Sequence, residues 1–255
     1  MMGKESVEQR MMKLQGILGA AIAGVLMAPG AAFAQSVEQW IEAGRRLRAD
    51  GDFVRAEEVL QRAVLQYPDN SRAHAHLCNV LDDLDRLNAA QQACQKAIAL
   101  DSQNAWAYFL LGFVAKRQGD FDVAIANFKR FIQFEPDDAV AYSNLGQVLY
   151  ETGNVTEAIT NYNRAIQLNP DDPVVYNNLG IALSRQGNSS QAIATLNRAI
   201  GINPNYALAY YNRGNAYYRQ SRWNAAIADY ERALQIDPNF QNARDNLQNA
   251  RRRAR

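Results

Sequence analysis

Histidine and cysteine are nearly absent, with two of each in 255 residues. The histidines, His74 and His76, stand two apart on a helical stretch. They therefore face different directions, whereas a metal site wants ligands three or four apart and more of them. Glycine-rich phosphate loops, nucleophile elbows and paired-carboxylate motifs are also missing. The expectation is a protein without enzymatic activity, cofactor or metal. Charge of either sign is not in excess: 27 basic residues meet 26 acidic ones. That balance gives no global pull toward nucleic acid or an anionic membrane. The apolar run Leu14 to Met27 is 14 residues long, short of the ~20 a membrane-spanning helix needs.

What is present is a beat. Pro68, Pro136, Pro170, Pro204 and Pro238 fall on a 34-residue period, with Ser102 at the one missing step. Such a period marks stacked repeats. Six units fill 37–70, 71–104, 105–138, 139–172, 173–206 and 207–240 without insertion. The eighth place reads Gly44, Cys78, Gly112, Gly146, Gly180, Gly214, and the twentieth is always alanine. Within the fourth unit, Tyr142, Leu145, Val148 and Leu149 form one helical stripe and Val155, Ala158, Ile159 and Tyr162 another. Thr152-Gly153-Asn154 turns between them. Each unit thus reads as two helices in a hairpin, all-α, with the small eighth place letting the backbones approach. Residues 241–255 begin one more helix, polar on one side, which suits a cap on the last apolar surface.

Tyr176-Asn177-Asn178-Leu179-Gly180, followed by Ala192, Ala199 and Pro204, resembles the tetratricopeptide repeat family. The likeness spans 37–240 and recurs six times in register. Departures are His74, Cys78 and Cys94 in the second unit and Phe131 in the third. The resemblance implies a right-handed superhelical α-solenoid that scaffolds complexes by holding peptides in a concave groove.

The amino end lies outside the beat. Lys4, Arg10 and Lys13 precede the apolar run, and Ala32-Phe33-Ala34 offers a cleavage site. This is a secretory signal pattern. We read 1–34 as a signal peptide and 35–255 as the repeat domain, exported to the periplasm or an equivalent compartment; an uncleaved anchor is the alternative.

In a stack of hairpins the first helix of each unit lines the inner surface. Trp106, Phe109, Leu110, Phe113 and Arg117 fall at its non-core places in the third unit. Aromatic anchors exposed there suit a partner site; the alternative is that the amino-terminal units curl over and bury them. Asn144, Asn178, Asn212 and Asn246 share one place. Such a row of amides can pair with a peptide backbone without reading its sequence, though asparagine is also common there in the family. Arg185, Tyr211, Asn215 and Arg219 complete the candidate groove. Ile41, Ala75 and Phe109 stand where a chaperone-tail clamp of this family would need its first lysine, which excludes that partner. The expected ligands are protein or peptide segments, not nucleic acid or a small-molecule substrate. The leading reading is an adaptor assisting assembly of an envelope or membrane complex; a self-associating scaffold, with a homodimer as its unit, or an accessory module for a separate enzyme is the alternative.

Four further expectations follow from the places. His74 takes the aromatic packing place and reads as core, while His76 points to the groove. Asp82, Asp83 and Asp85 crowd the second hairpin turn, as a calcium site or a solvated turn. Arg213 replaces a leucine and Asp229 stands sixteen residues on, so the two should form an ion pair. Cys78 and Cys94 are equally spaced on facing helices, placed either to form a disulfide or to remain two small apolar core residues.

Overall fold

The structure, a computed structural model, describes residues 36–255. The leader and its cleavage site lie outside those residues. Among the described residues every regular element is a helix: α1 Val37–Ala49, α2 Phe53–Gln66, α3 Ser71–Asp83, α4 Leu87–Leu100, α5 Ala105–Gln118, α6 Phe121–Phe134, α7 Ala139–Glu151, α8 Val155–Leu168, α9 Pro173–Arg185, α10 Ser189–Ile202, α11 Ala207–Arg219, α12 Trp223–Ile236 and α13 Gln241–Arg253. The odd-numbered helices open the repeats, and α13 follows the sixth.

Local chemistry sets the boundaries. The last residue of one unit caps the next: Asn70, Asn104, Asp138 and Asp172 accept the backbone N–H of Ala73, Ala107, Ala141 and Val174. Each cap satisfies a donor that the helix start leaves without a partner. Pro173 takes the first turn of α9, where its missing N–H costs nothing. Inside each hairpin the chain reverses through one left-handed residue. Gly51, Gly119, Gly153 and Gly187 take it at φ of 80, 79, 86 and 92°, but Asp85 and Ser221 hold it at 59 and 58°. A side chain in that region costs ~1–2 kcal/mol, partly offset by the flexibility glycine adds to the unfolded chain. Ser221→Gly is therefore expected to stabilise by about 0.5–1 kcal/mol, read as a raised thermal midpoint.

Packing follows the small eighth place. A Cβ on Gly146 would sit 2.7 Å from the Tyr162 ring, and one on Gly214 would sit 2.7 Å from that of Tyr230. The hairpin closes because glycine faces a large side chain sixteen residues on. Tyr162, Tyr230, Phe128, Leu60 and Leu196 fill that role and are almost wholly buried. The second repeat breaks the rule and places Cys78 opposite Cys94, joined as a disulfide with a Cα–Cα distance of 5.3 Å. Odd-numbered helices of adjacent repeats also touch one another, except that between α5 and α7 the link shown is the Lys116–Asn144 hydrogen bond. After the sixth repeat α13 buries Ala243, Leu247 and Ala250, half-buries Asn246 and leaves its remaining residues to solvent.

Candidate functional site

The inner face is built from the odd-numbered helices. Among the described residues five large apolar side chains are exposed, and three of them share one place. Val140, Val174 and Leu208 are the second residues of α7, α9 and α11, exposed by 55, 44 and 38%. Trp106, half-buried, holds the same place in α5. Glu38 and Arg72 hold it in α1 and α3 and bond each other at 3.2 Å. Second-place residues of the first two repeats are therefore within side-chain reach. The result is a line that starts with an ion pair and becomes apolar from Trp106 to Leu208.

Beside this line the structure rearranges the expected anchors. Phe109 folds down onto α6, its ring 4.9 Å from Phe131 and 6.0 Å from Phe128. Phe113 packs edge-on to Phe128 at 6.0 Å and carries the Lys116 ammonium 4.7 Å over its own ring. Both are half-buried, so they support the core as well as the surface. Leu110, assigned to the groove, is buried at 7% exposure. The extra bulk of Phe131, at a place where other repeats carry alanine, gives the Phe109 ring something to rest on.

The amide row serves the stack. Asn144 donates to the Val140 carbonyl at 2.9 Å and accepts from Lys116 of the preceding repeat at 2.8 Å. Asn212 donates to Asn177 at 2.9 Å, and Asn246 to Asn215 at 2.9 Å. Asn215 also accepts from the Tyr230 hydroxyl at 2.8 Å. Tyr211 lies 4.8 Å from the Phe240 ring. Asn178 is different: its amide nitrogen is buried and donates to nothing among the described residues.

The arginines serve it too. Arg117 donates to the backbone carbonyl and the carboxylate of Asp82, each at 2.6 Å, and to Asp85 at 2.6 Å. Arg185 donates to the Tyr150 carbonyl at 3.0 Å. Both thus close the last turn of the preceding repeat's first helix, where a cation is favoured. Arg219 is exposed at the same place in α11. The acidic turn is accounted for in the same way: Asp82 and Asp85 belong to Arg117, and Asp83 to Arg48. Asp85 stays largely in solvent, as a solvated turn would have it, while Asp82 and Asp83 are covered by their arginines. Among the described residues no group of three or more metal-binding side chains converges, and no helix is long and apolar enough to cross a membrane.

The two histidines divide differently from expectation. His74 is half-buried over the linker, its Nε2 donating to the Pro68 carbonyl at 2.9 Å, and is not core. The side chain at this place reaches the linker six residues back, as Tyr108 does toward Ser102 at 3.3 Å. His76 faces inward with its ring 4.5 Å from Trp106. Burial lowers its pKa from 6.5 to about 4, aided by the charges of Arg45, Arg72 and Arg48 and opposed by Glu42. The unfolded chain takes up the proton near 6.5 and the folded chain only near 4. Between these values the unfolded state binds more protons, so stability falls as pH drops from 6.5 toward 4. His76→Gln is expected to shrink the loss of thermal midpoint between pH 7 and about 4.5; an unchanged loss would assign it to other groups.

Models of known families match most of the chain. The "TPR repeat" model matches 116–153, 146–187 and 184–221, and two "Tetratricopeptide repeat" models match 47–110 and 207–240. Among solved structures, pilF of Pseudomonas aeruginosa superposes with a TM-score of 0.71 at 18% identity, covering 82% of this chain and 95% of that one. YrrB, described as a TPR protein with an unusual peptide-binding site, gives 0.64 at 24% identity, covering 73 and 96%. MamA gives 0.61 at 25% identity, covering 64 and 95%. No curated protein matches.

Proposed function

We propose a function from one premise: the chain belongs to the tetratricopeptide repeat family. It is a non-enzymatic adaptor that holds protein segments along its inner face. It is exported, and it assists assembly of an envelope or membrane complex. The observation that carries the reading is the line Trp106, Val140, Val174 and Leu208. Aliphatic side chains held in water at one place of successive repeats are unfavourable for a free monomer and useful to a partner that covers them. Export is supported by the leader pattern and by the cysteine pair, since disulfides persist in oxidising compartments.

The test begins with peptides selected from a displayed random library against the purified protein. Val174→Glu and Leu208→Glu are each expected to weaken the selected peptides by about tenfold or more. Helix content by circular dichroism should not change, because both side chains are exposed. Retained affinity in both variants would sink the reading. Light scattering of the unliganded protein separates it from self-association: a tight dimer that covers Leu208 would favour the scaffold.

A further inference from the structure

At the charged end of the same line, α1, α3 and α5 enclose a cavity of about 320 Å³. Arg45 and Arg48 line it from α1, His76 and Asn79 from α3, and Trp106 from α5; Leu60 and Val80 are among its apolar walls. The size falls at the small end of ligand pockets, ~300–1,000 Å³. The chemistry is split. One wall is indole, imidazole and aliphatic carbon. The other is two guanidiniums and an amide.

The charges there are unequally satisfied. Arg48 is held by Asp83. Arg72 and Glu38 hold each other at 3.2 Å. Glu42 is taken by Arg46 at 2.9 Å, so Arg45 reaches it only at 3.5 Å, with 61% of the Arg45 side chain exposed. Arg45 is therefore the cation at this mouth with the weakest partner. His76 is uncharged near neutral pH, so the positive charge at this mouth comes from the arginines alone.

We propose that this cavity anchors an acidic residue of a bound protein segment, its carboxylate on Arg45 and an adjoining apolar side chain against Trp106. The proposal rests on the groove reading above and names what one end of that groove selects. A carboxylate fits because guanidinium donors match it in geometry and charge. An apolar neighbour fits because Trp106, Leu60 and Val80 offer it apolar surface.

The experiment uses 15N-tryptophan-labelled protein and two probes that differ only in charge: N-acetyl-aspartyl-phenylalanine amide and N-acetyl-asparaginyl-phenylalanine amide. The aspartyl probe should shift the Trp106 indole signal saturably and leave those of Trp40 and Trp223 in place. The asparaginyl probe should bind about fivefold more weakly, as expected for a partly exposed ion pair. Arg45→Gln should remove that preference, and 0.5 M salt should reduce it. Equal binding of the two probes, or a preference that survives Arg45→Gln, overturns the proposal, as does no shift at all. A stronger response to N-acetylphenylalanine would overturn it in favour of a terminal carboxylate. Failure here is separable from failure of the groove. Library-selected peptides that still depend on Val174 and Leu208 would leave the groove standing without this anchor.

Discussion

Asp229→Ala is expected to cost about 3–5 kcal/mol, more than any other single substitution of a polar side chain considered above. Asp229 is 5% exposed and takes Arg213 in two bonds, Nε to Oδ2 at 2.8 Å and Nη2 to Oδ1 at 2.6 Å. The third guanidinium nitrogen, Nη1, donates to Asn197 of the preceding repeat at 2.6 Å. The Tyr210 and Tyr217 rings lie 5.4 and 6.0 Å from the guanidinium. Truncating the aspartate strands a cation in this cage with one amide left to face it. The loss should be read as a lowered thermal midpoint and as faster amide exchange in α11 to α13, because a repeat opens locally before the whole array does. The pairing itself need not add stability, since buried ion pairs often do no better than apolar packing. The second repeat carries Leu77 and Ala93 at the same two places. Arg213→Leu combined with Asp229→Ala should therefore recover most of what the single substitution loses. If Asp229→Ala melts with the wild type, the guanidinium finds water and the cage is not closed.

That ion pair was legible because the repeats act as internal controls. A residue that departs from its place, with a second departure sixteen positions on, needs no structure to be noticed. The helix pairs, the small eighth place and the closing helix were legible for the same reason. Side-chain direction was not. Place alone set Phe109, Phe113 and Leu110 in the groove, but Phe109 rests on Phe131, Phe113 packs against Phe128, and Leu110 is buried. The amides and arginines at groove places reach neighbouring repeats, a distance that a one-repeat pattern does not encode. Place alone also puts Val140, Val174 and Leu208 on the inner face, but how far they stand exposed there is set by the packing around them. The cavity at His76 and Trp106 needed three repeats in register, and only coordinates supply that.

Breaking the Cys78–Cys94 bridge is expected to cost about 3 kcal/mol in the chain-entropy model, because the bond closes a loop sixteen residues long. Packing adds to the effect. Other repeats hold their hairpins with glycine against a large ring or leucine, whereas here two small side chains meet and the covalent bond takes the place of that contact. Both cysteines are 0% exposed, so a reductant reaches them only when the repeat opens. Addition of reductant should leave the native protein unchanged for long periods but lower the denaturation midpoint once equilibrium is reached. Cys78→Ala with Cys94→Ala should lose the bridge and leave a void as well. Cys78→Gly with Cys94→Tyr copies the Gly146–Tyr162 pair of the fourth repeat and should regain much of the loss without a bridge, now insensitive to reductant. Equal midpoints for the wild type with and without reductant would remove the bridge from the stability of the fold. The same bond tests the compartment. Protein purified from the cell envelope, denatured without reduction, should show no free thiols and an amino terminus at Gln35. Two free thiols, or a retained leader on otherwise mature protein, would place the chain elsewhere and remove the support for an exported adaptor.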